Sequence, residues 1–344
     1  MKKLFLSIIA IAALIFSSCD KKVDLYSNDG EHTIVYAILD SNADTNFFKI
    51  TKSFLGNAND LTNDYDANNY TEDELEVTFT GVFEGSNNPQ TVTLGTVKRW
   101  IPADDNAIFY NGCFQTYYYT TKKLREGKEY QIDIVRKSDN AKISAKAKTI
   151  NSFRIRKPIQ DQIIQFKDVK RFTIDWKVAE FPFLTTAAYF EITAYFHFKE
   201  LMPGSSDTVY KSIRWPLNSG KAESFLTTTN NDTYYATTYT PEALFDVLRD
   251  NKYLNENSPA GVQRFWEKFE FKISATGEEL YNYNIITNSS SAIQDVPNYT
   301  NIENGYGIMS SRISISSFHR INILSRNKIE QDFPQYGFVH DPNP

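Results

Sequence analysis

Along much of this chain apolar residues recur at every second position, in short runs broken by turn residues. Leu75, Val77 and Phe79 alternate with Glu76 and Thr78, and Tyr130, Ile132 and Ile134 alternate with Gln131 and Asp133. A period of two turns one side of an extended strand toward a core and the other toward water, a pattern that no helix satisfies. Thr33–Leu39 reads as a strand buried on both faces, and Phe47–Ser53 follows it after a polar turn. Further short strands are expected at Thr91–Leu94, Ala107–Tyr110, Thr116–Tyr119 and Lys142–Lys146, with Ser138-Asp-Asn140 as a turn. Regular short strands without a long helical pattern predict packed sheets over residues 31–150.

The rhythm resumes after a junction near Phe153, marked by Pro158 and the polar stretch Gln160–Gln165. Phe172, Ile174 and Trp176 share one strand face, Ala188–Phe198 is a long strand, and Tyr210–Trp215 follows the Pro203-Gly-Ser-Ser turn. Phe269, Phe271 and Ile273 alternate with Glu270 and Lys272. Two helices interrupt. Thr240 is placed to cap one that Pro241 opens, and Thr276-Gly-Glu-Glu279 has the spacing of a capping box for the other. Residues 282–304 read as a long loop and 308–316 as a last strand, and the end of the chain reads as a loosely packed tail. Leu124-Arg-Glu-Gly127-Lys-Glu-Tyr130 has the spacing of a tyrosine corner, in which a Tyr hydroxyl bonds backbone a few residues upstream. The expected fold class is therefore mainly β, with two immunoglobulin/fibronectin-III-like β-sandwich domains. The first covers residues 31–150. The second covers 151–325, with one or two short inserted helices, and 326–344 form the tail. Leu124, Gly127, Tyr130 and Trp176 are the expected structural markers.

The first nineteen residues speak to location. Lys2 and Lys3 precede an apolar run from Leu4 to Phe16, then Ser17, Ser18 and Cys19. The run is thirteen residues long, and a membrane-crossing helix needs roughly 20. A basic start, a short apolar stretch and small residues form an export signal. The cysteine that comes next resembles a bacterial lipobox, with Phe16 where Leu is usual. Cleavage before Cys19 would make residues 1–18 a signal peptide, Cys19 a palmitate-bearing amino terminus and residues 19–30 a polar tether. Several acyl chains anchor stably.

Composition excludes other classes. Of 37 basic residues two lie in the leader, leaving 35 against 42 acidic ones, a formal charge of −7. Nucleic acid requires concentrated cations, so none is expected as a partner. With Cys19 lipidated, Cys113 has no partner for an intrachain disulfide, and stability falls to a core that 25 Phe, 21 Tyr and 4 Trp can fill. The tyrosines also suit a sugar-stacking surface. Four histidines, at 32, 197, 319 and 340, show no zinc spacing, and no nucleophile elbow or phosphate loop occurs. His197, between Phe196 and Phe198, is expected to face away from them. The Asp64–Asn68 loop offers alternate oxygens but lacks the Gly and Glu of an EF-hand, and Asp104-Asp-Asn106 reads as a turn. No metal, cofactor or catalytic residue is expected.

The early Ile34–Asp40 strand, the Phe48-Lys-Ile-Thr51 strand, the Gly127–Tyr130 corner, Trp176 and Glu279-Leu-Tyr-Asn-Tyr283 occur in a telling order. With Thr300-Asn-Ile-Glu-Asn-Gly-Tyr-Gly307, the most specific segment, they resemble a Bacteroidota outer-membrane lipoprotein family of unknown function. Met309 stands where that family often has an aromatic. Members are often encoded beside TonB-dependent receptors. The resemblance implies a non-enzymatic, lipid-anchored accessory protein at the outer membrane, partnered with a receptor or a glycan or peptide ligand. Two alternatives stand beside it: an adhesion or structural envelope protein, and a glycan-active enzyme with a spatially assembled carboxylate pair.

Overall fold

The computed structural model describes residues 31–53, 69–102, 113–179, 184–288 and 299–339. The leader 1–18, Cys19 and the tether 19–30 lie outside them, as do Asp64–Asn68, Asp104–Asn106 and the strand expected at 107–110. Strand makes up 54% and helix 15%, so the fold is mainly β. Among the described residues the strands form three sheets, of ten, five and four members.

The chain opens with β1 (Thr33–Leu39), β2 (Asn46–Lys52), β3 (Leu75–Gly81), β4 (Gln90–Thr93) and β5 (Gly95–Ile101). It continues through β6 (Cys113–Thr120), β7 (Glu129–Arg136), β8 (Ala141–Lys148), β9 (Phe153–Lys157), β10 (Ile163–Ile164) and β11 (Phe172–Val178). The long strands β12 (Tyr189–Leu201) and β13 (Thr208–Lys221) come next, then β14 (Leu226–Thr229) and β15 (Asp232–Tyr239). Two short helices, α1 (Leu244–Arg249) and α2 (Lys252–Glu256), lead to β16 (Gln263–Thr276) and helix α3 (Glu278–Asn288). The end comprises β17 (Ile302–Glu303), β18 (Tyr306–Ile321), α4 (Ile323–Asp332) and β19 (Phe338–Val339).

The largest sheet runs β13-β12-β16-β18-β1-β2-β6-β5, with β10 on β18 and β19 on β16. Its inner face meets the other two sheets in succession. Phe48 of β2 packs on Phe79 of β3 at 4.9 Å between ring centroids, beneath the β17-β8-β7-β3-β4 sheet. Trp176 of β11 packs on Phe190 of β12 at 5.1 Å, beneath the β14-β15-β11-β9 sheet. Two hydrophobic cores result. One gathers residues from Val35 to Ala147 together with Ile302 and Met309, and the other residues from Ile150 to Phe338.

One strand serves both. β18 pairs in parallel with β1 from Tyr306 to Ser311, and antiparallel with β16 from Arg312 to His319. Sixteen residues in extended form reach roughly 53 Å. Its odd-numbered side chains stay inward throughout: Met309 joins the first core, Ile313 and Ile321 the second. Between them the Ser311 hydroxyl donates to the Lys148 carbonyl at 2.6 Å, tying the junction to β8. Near the end of the chain β17 pairs with β8 and the first half of β18 with β1, so this late segment joins the sheets built by the first 150 residues. Parallel neighbours need a long connection, and here it is most of the protein. Gly307 lets the two strands meet. Its φ is +102°, and a Cβ there would lie 2.1 Å from the Val35 carbonyl oxygen.

Other expectations are corrected. β1 is half-buried, with Val35, Ala37 and Leu39 inward and Tyr36 and Ile38 exposed on the outer face. Thr240 makes no side-chain cap bond, and Pro241–Ala243 form a 3-10 turn before α1. Residues 282–288 are helical rather than loop. Nor is the described part of the tail, 326–339, loose. Ile329, Phe333, Tyr336 and Phe338 are buried, and β19 pairs with β16. A buried ion pair fastens this segment. The Arg264 guanidinium, fully buried, donates to Glu200 (2.8 Å), to Ser258 Oγ (2.9 Å) and to the Tyr336 and Asn257 carbonyls. Tyr253 donates to the same carboxylate, and burial together with Glu200 pushes its hydroxyl up to about 12. With its donors satisfied, the buried charge is held at tolerable cost.

The strand contact and the buried histidine can each be tested. Gly204 has φ +80° but open space around its Cβ position, so Gly204→Ala and Gly307→Ala share the conformational strain and differ in the backbone clash. Gly307→Ala is expected to lower stability by about 2 kcal/mol more than Gly204→Ala in urea denaturation; equal losses would refute the close approach. His319 is 2% exposed, and its Nδ1 lies 3.3 Å from the Gln162 carbonyl and its Nε2 2.8 Å from Ser317 Oγ. Burial holds its imidazolium pKa below 6.5. The unfolded chain then binds more protons below about pH 6.5, so stability falls as the pH drops through that value toward the folded pKa. Denaturation at successive pH values should show that His319→Gln loses less stability on acidification than the parent.

Candidate functional site

Strand alternation sorts β12 into two sets. Phe190, Ile192, Ala194, Phe196 and Phe198 are buried, and Tyr189, Glu191, Tyr195 and His197 occupy the opposite, outer face. As expected from sequence, His197 lies opposite its phenylalanine neighbours. On β18 the even-numbered set is outward, which places Tyr306, Ser310, Arg312 and Ser316 on that same face.

Helix α3 lies across this face and is built onto it by β18. The Gly277 amide donates to the Ser311 carbonyl at 2.9 Å, and the Leu280 amide donates to Ser310 Oγ at 3.1 Å. The predicted capping box is thus replaced. Thr276 is held in β16 by its pairing with Arg312, and an oxygen from another strand meets the helix's free amide. Tyr281 and Tyr283, two residues apart, project to opposite sides of the helix. Tyr281 stacks on Tyr189, with centroids 5.1 Å apart and planes at 24°. Tyr283 bonds to Tyr36 of β1, and burial together with Tyr283 raises the Tyr36 hydroxyl pKa.

Two clefts flank Tyr281. One, of ≈ 590 Å³, is lined by Tyr189, Tyr281, Glu191, Arg312, Thr276 and Asn284, among others. The other, of ≈ 470 Å³, is lined by Tyr235, Lys221, Glu223, Glu278 and Asn282 beyond the same tyrosine. In the first, Arg214 Nη2 donates to Glu191 Oε1 at 2.5 Å, and Arg312 Nη2 stands 3.9 Å from Oε2. At the far end of the sheet the outer face is aromatic again. The Arg99 guanidinium lies 4.1 Å from the Phe47 ring centroid, and Tyr117 and Tyr119 flank Phe47. The Tyr119 ring packs against Gly95, 2.9 Å from where a Cβ would be.

One trio has the composition of a hydrolase triad. Glu270 accepts from Ser316 Oγ at 2.5 Å and meets His197 Nε2 at 2.8 Å. The order is wrong for that chemistry. A nucleophilic serine needs the imidazole between itself and the carboxylate, and here the carboxylate is central. His197, with help from Ser316, instead holds the Glu270 pKa below its ordinary value against the effect of burial. Among the described residues no three His, Cys, Asp or Glu side chains converge for a metal ion.

Of the expected marker residues, Leu124, Tyr130 and Trp176 lie in the cores and Gly127 at a turn. The Arg125 amide donates to the Tyr130 hydroxyl at 2.7 Å, and that hydroxyl donates to the Val82 carbonyl. Gly127, at φ +62°, makes the turn, Leu124 is buried beside it, and Trp176 is buried in the second core. The Thr300–Gly307 segment is structural as well. Asn301 bonds both the amide (2.9 Å) and the carbonyl (2.7 Å) of Met309, closing the turn into β18. Cys113 begins β6, and Cys19 lies outside the described residues. Sequence reading missed the Arg214–Glu191–Arg312 group, because its members come from three strands. The two tyrosines of α3 were the available signal. No family model matches the chain, and neither does any curated protein.

The anchoring of α3 is testable. Ser310→Ala removes the oxygen that satisfies Leu280, and loss of a helix cap costs about 0.5–2 kcal/mol. Hydrogen exchange at the amides of residues 280–284 should quicken, while β12 stays protected; unchanged exchange in α3 would contradict the assignment.

Proposed function

We propose that this protein is a non-enzymatic, lipid-anchored binding protein of the bacterial outer membrane, tethered through Cys19 and partnered with a TonB-dependent receptor or its ligand. The sheets are read as two immunoglobulin/fibronectin-III-like sandwiches that share β18. The observation that carries the reading is the outer face of the ten-stranded sheet. There α3 frames one cleft of tyrosines and paired charges, and a second opens beyond Tyr281 where the ten- and four-stranded sheets meet beside Tyr235, whereas the opposite face is consumed by the cores. Concave sites with a few placed polar groups are the usual seats of ligands. The leader sequence supports the address, and the resemblance to a Bacteroidota lipoprotein family supports the partnership. The order of Ser316, Glu270 and His197 speaks against acyl transfer.

Glu223 and Glu278, which line the smaller cleft together, favour a second reading as a glycan-active enzyme using a carboxylate pair. It predicts turnover on a glycan panel that Glu278→Gln abolishes.

The leading reading is tested with full-length protein in its own membrane. Labelled palmitate should enter the parent protein, and Cys19→Ala should lose the label and move to the soluble fraction. Detergent-solubilised parent should bring down a membrane receptor or its ligand. Labelling that survives Cys19→Ala, or recovery of the protein alone, would overturn it.

A further inference from the structure

The larger cleft carries a chemical preference, and its ligand class rests on reading the protein as a binding protein. Among the described residues lining the cleft, Glu191 is the acid and Arg312 the base. Glu191 is already engaged, since Arg214 holds one of its oxygens at 2.5 Å. The Arg312 contact to the other oxygen, at 3.9 Å, is too long for a hydrogen bond. Arg312 is about half exposed (49%), and its position is set by the antiparallel register with Thr276. A planar guanidinium with donors to spare therefore faces the cleft, beside an acid whose charge another arginine neutralises. That geometry matches a carboxylate, which a guanidinium fork can grip with two parallel bonds.

The remaining walls define what carries the carboxylate. Tyr281, braced by its stack on Tyr189, offers a flat ring fixed by its neighbour. The negative face of an aromatic ring attracts the weakly positive C–H bonds of a saturated ring laid against it. Thr276, Asn284 and the second carboxylate oxygen of Glu191 supply donors and acceptors around the rim, while Leu280 and Ile285 add apolar wall beside the tyrosine. Such a rim is suited to a ring bearing several hydroxyls. A plain aromatic acid would leave these groups unpaired, and an extended acidic peptide would present no face to the tyrosine. We propose that this cleft binds an acidic sugar, a hexuronate ring whose carboxylate meets Arg312 and whose C–H face lies on Tyr281.

The probe is trigalacturonate, titrated calorimetrically into the full chain carrying Cys19→Ala. Its neutral methyl ester, 4-hydroxybenzoate and a triglutamate peptide are the comparisons. Trigalacturonate should bind, with the methyl ester at least about tenfold weaker. Arg312→Gln and Tyr281→Ala should each weaken binding by about tenfold or more, while Arg99→Gln at the far end of the sheet leaves it unchanged. Circular dichroism and the unfolding midpoint check that the variants fold. Equal binding of the ester, tighter binding of the benzoate or peptide, indifference to Arg312→Gln, or no binding of trigalacturonate up to about 10 mM would each overturn the proposal. If trigalacturonate fails while the parent still recovers a membrane partner, the acidic-sugar assignment alone falls. Failure of both removes the binding reading too.

Discussion

A strand has two faces, and β18 keeps the same one inward from Gly307 to Ile321. That constancy of register ties the molecule together. A slip of one residue would turn every inward side chain out, and here it would do so in two cores at once. Met309 would leave the first core while Ile313 and Ile321 left the second. The strand is held on one side by β1 up to Ser311 and on the other by β16 from Arg312. Gly307 permits the first contact, Asn301 sets the turn that precedes it, and Ser311 bonds β8 at the handover. Interlocked constraints of this kind specify one register where a single ladder would leave alternatives.

The outer face is set by the same parity. Because odd-numbered residues of β18 feed the cores, Ser310 and Arg312 are outward. Ser310 becomes the anchor of α3 and Arg312 the base of a cleft. The helix sits where β18 passes from one partner to the next, so its tyrosines can reach β12 on one side and β1 on the other. Core and surface chemistry are coupled through alternate residues of one segment.

The parts of this design legible in the sequence are those written locally. Alternation marked β3, β7, β11 and β16, and the spacing of Leu124, Gly127 and Tyr130 marked the corner, because in each case the residues that carry the signal are neighbours in the chain. Tyr36 and Ile38 misled for the opposite reason. Their apolar character reads as burial, yet they belong to an aromatic outer surface. The capping box misled because Thr276 was already committed to a strand and the true acceptor, Ser310, comes from another element. The last residues looked loose because Phe333, Tyr336 and Phe338 follow no period; what fixes them is Arg264, whose partners come from three separate segments. Glu191, Arg214 and Arg312 are brought together only when three strands align, a relation that no window along the chain contains.

The position of β1 has a mechanical consequence. It is an interior strand, with β2 antiparallel on one side and β18 parallel on the other. Any pull delivered at the amino terminus enters the fold along the axis of β1. Both ladders lie across that axis, so the load is borne in shear by two rows of bonds together, and peeling them one at a time is not available. A fold loaded at Thr33 through such a strand resists traction best along the strand's own axis.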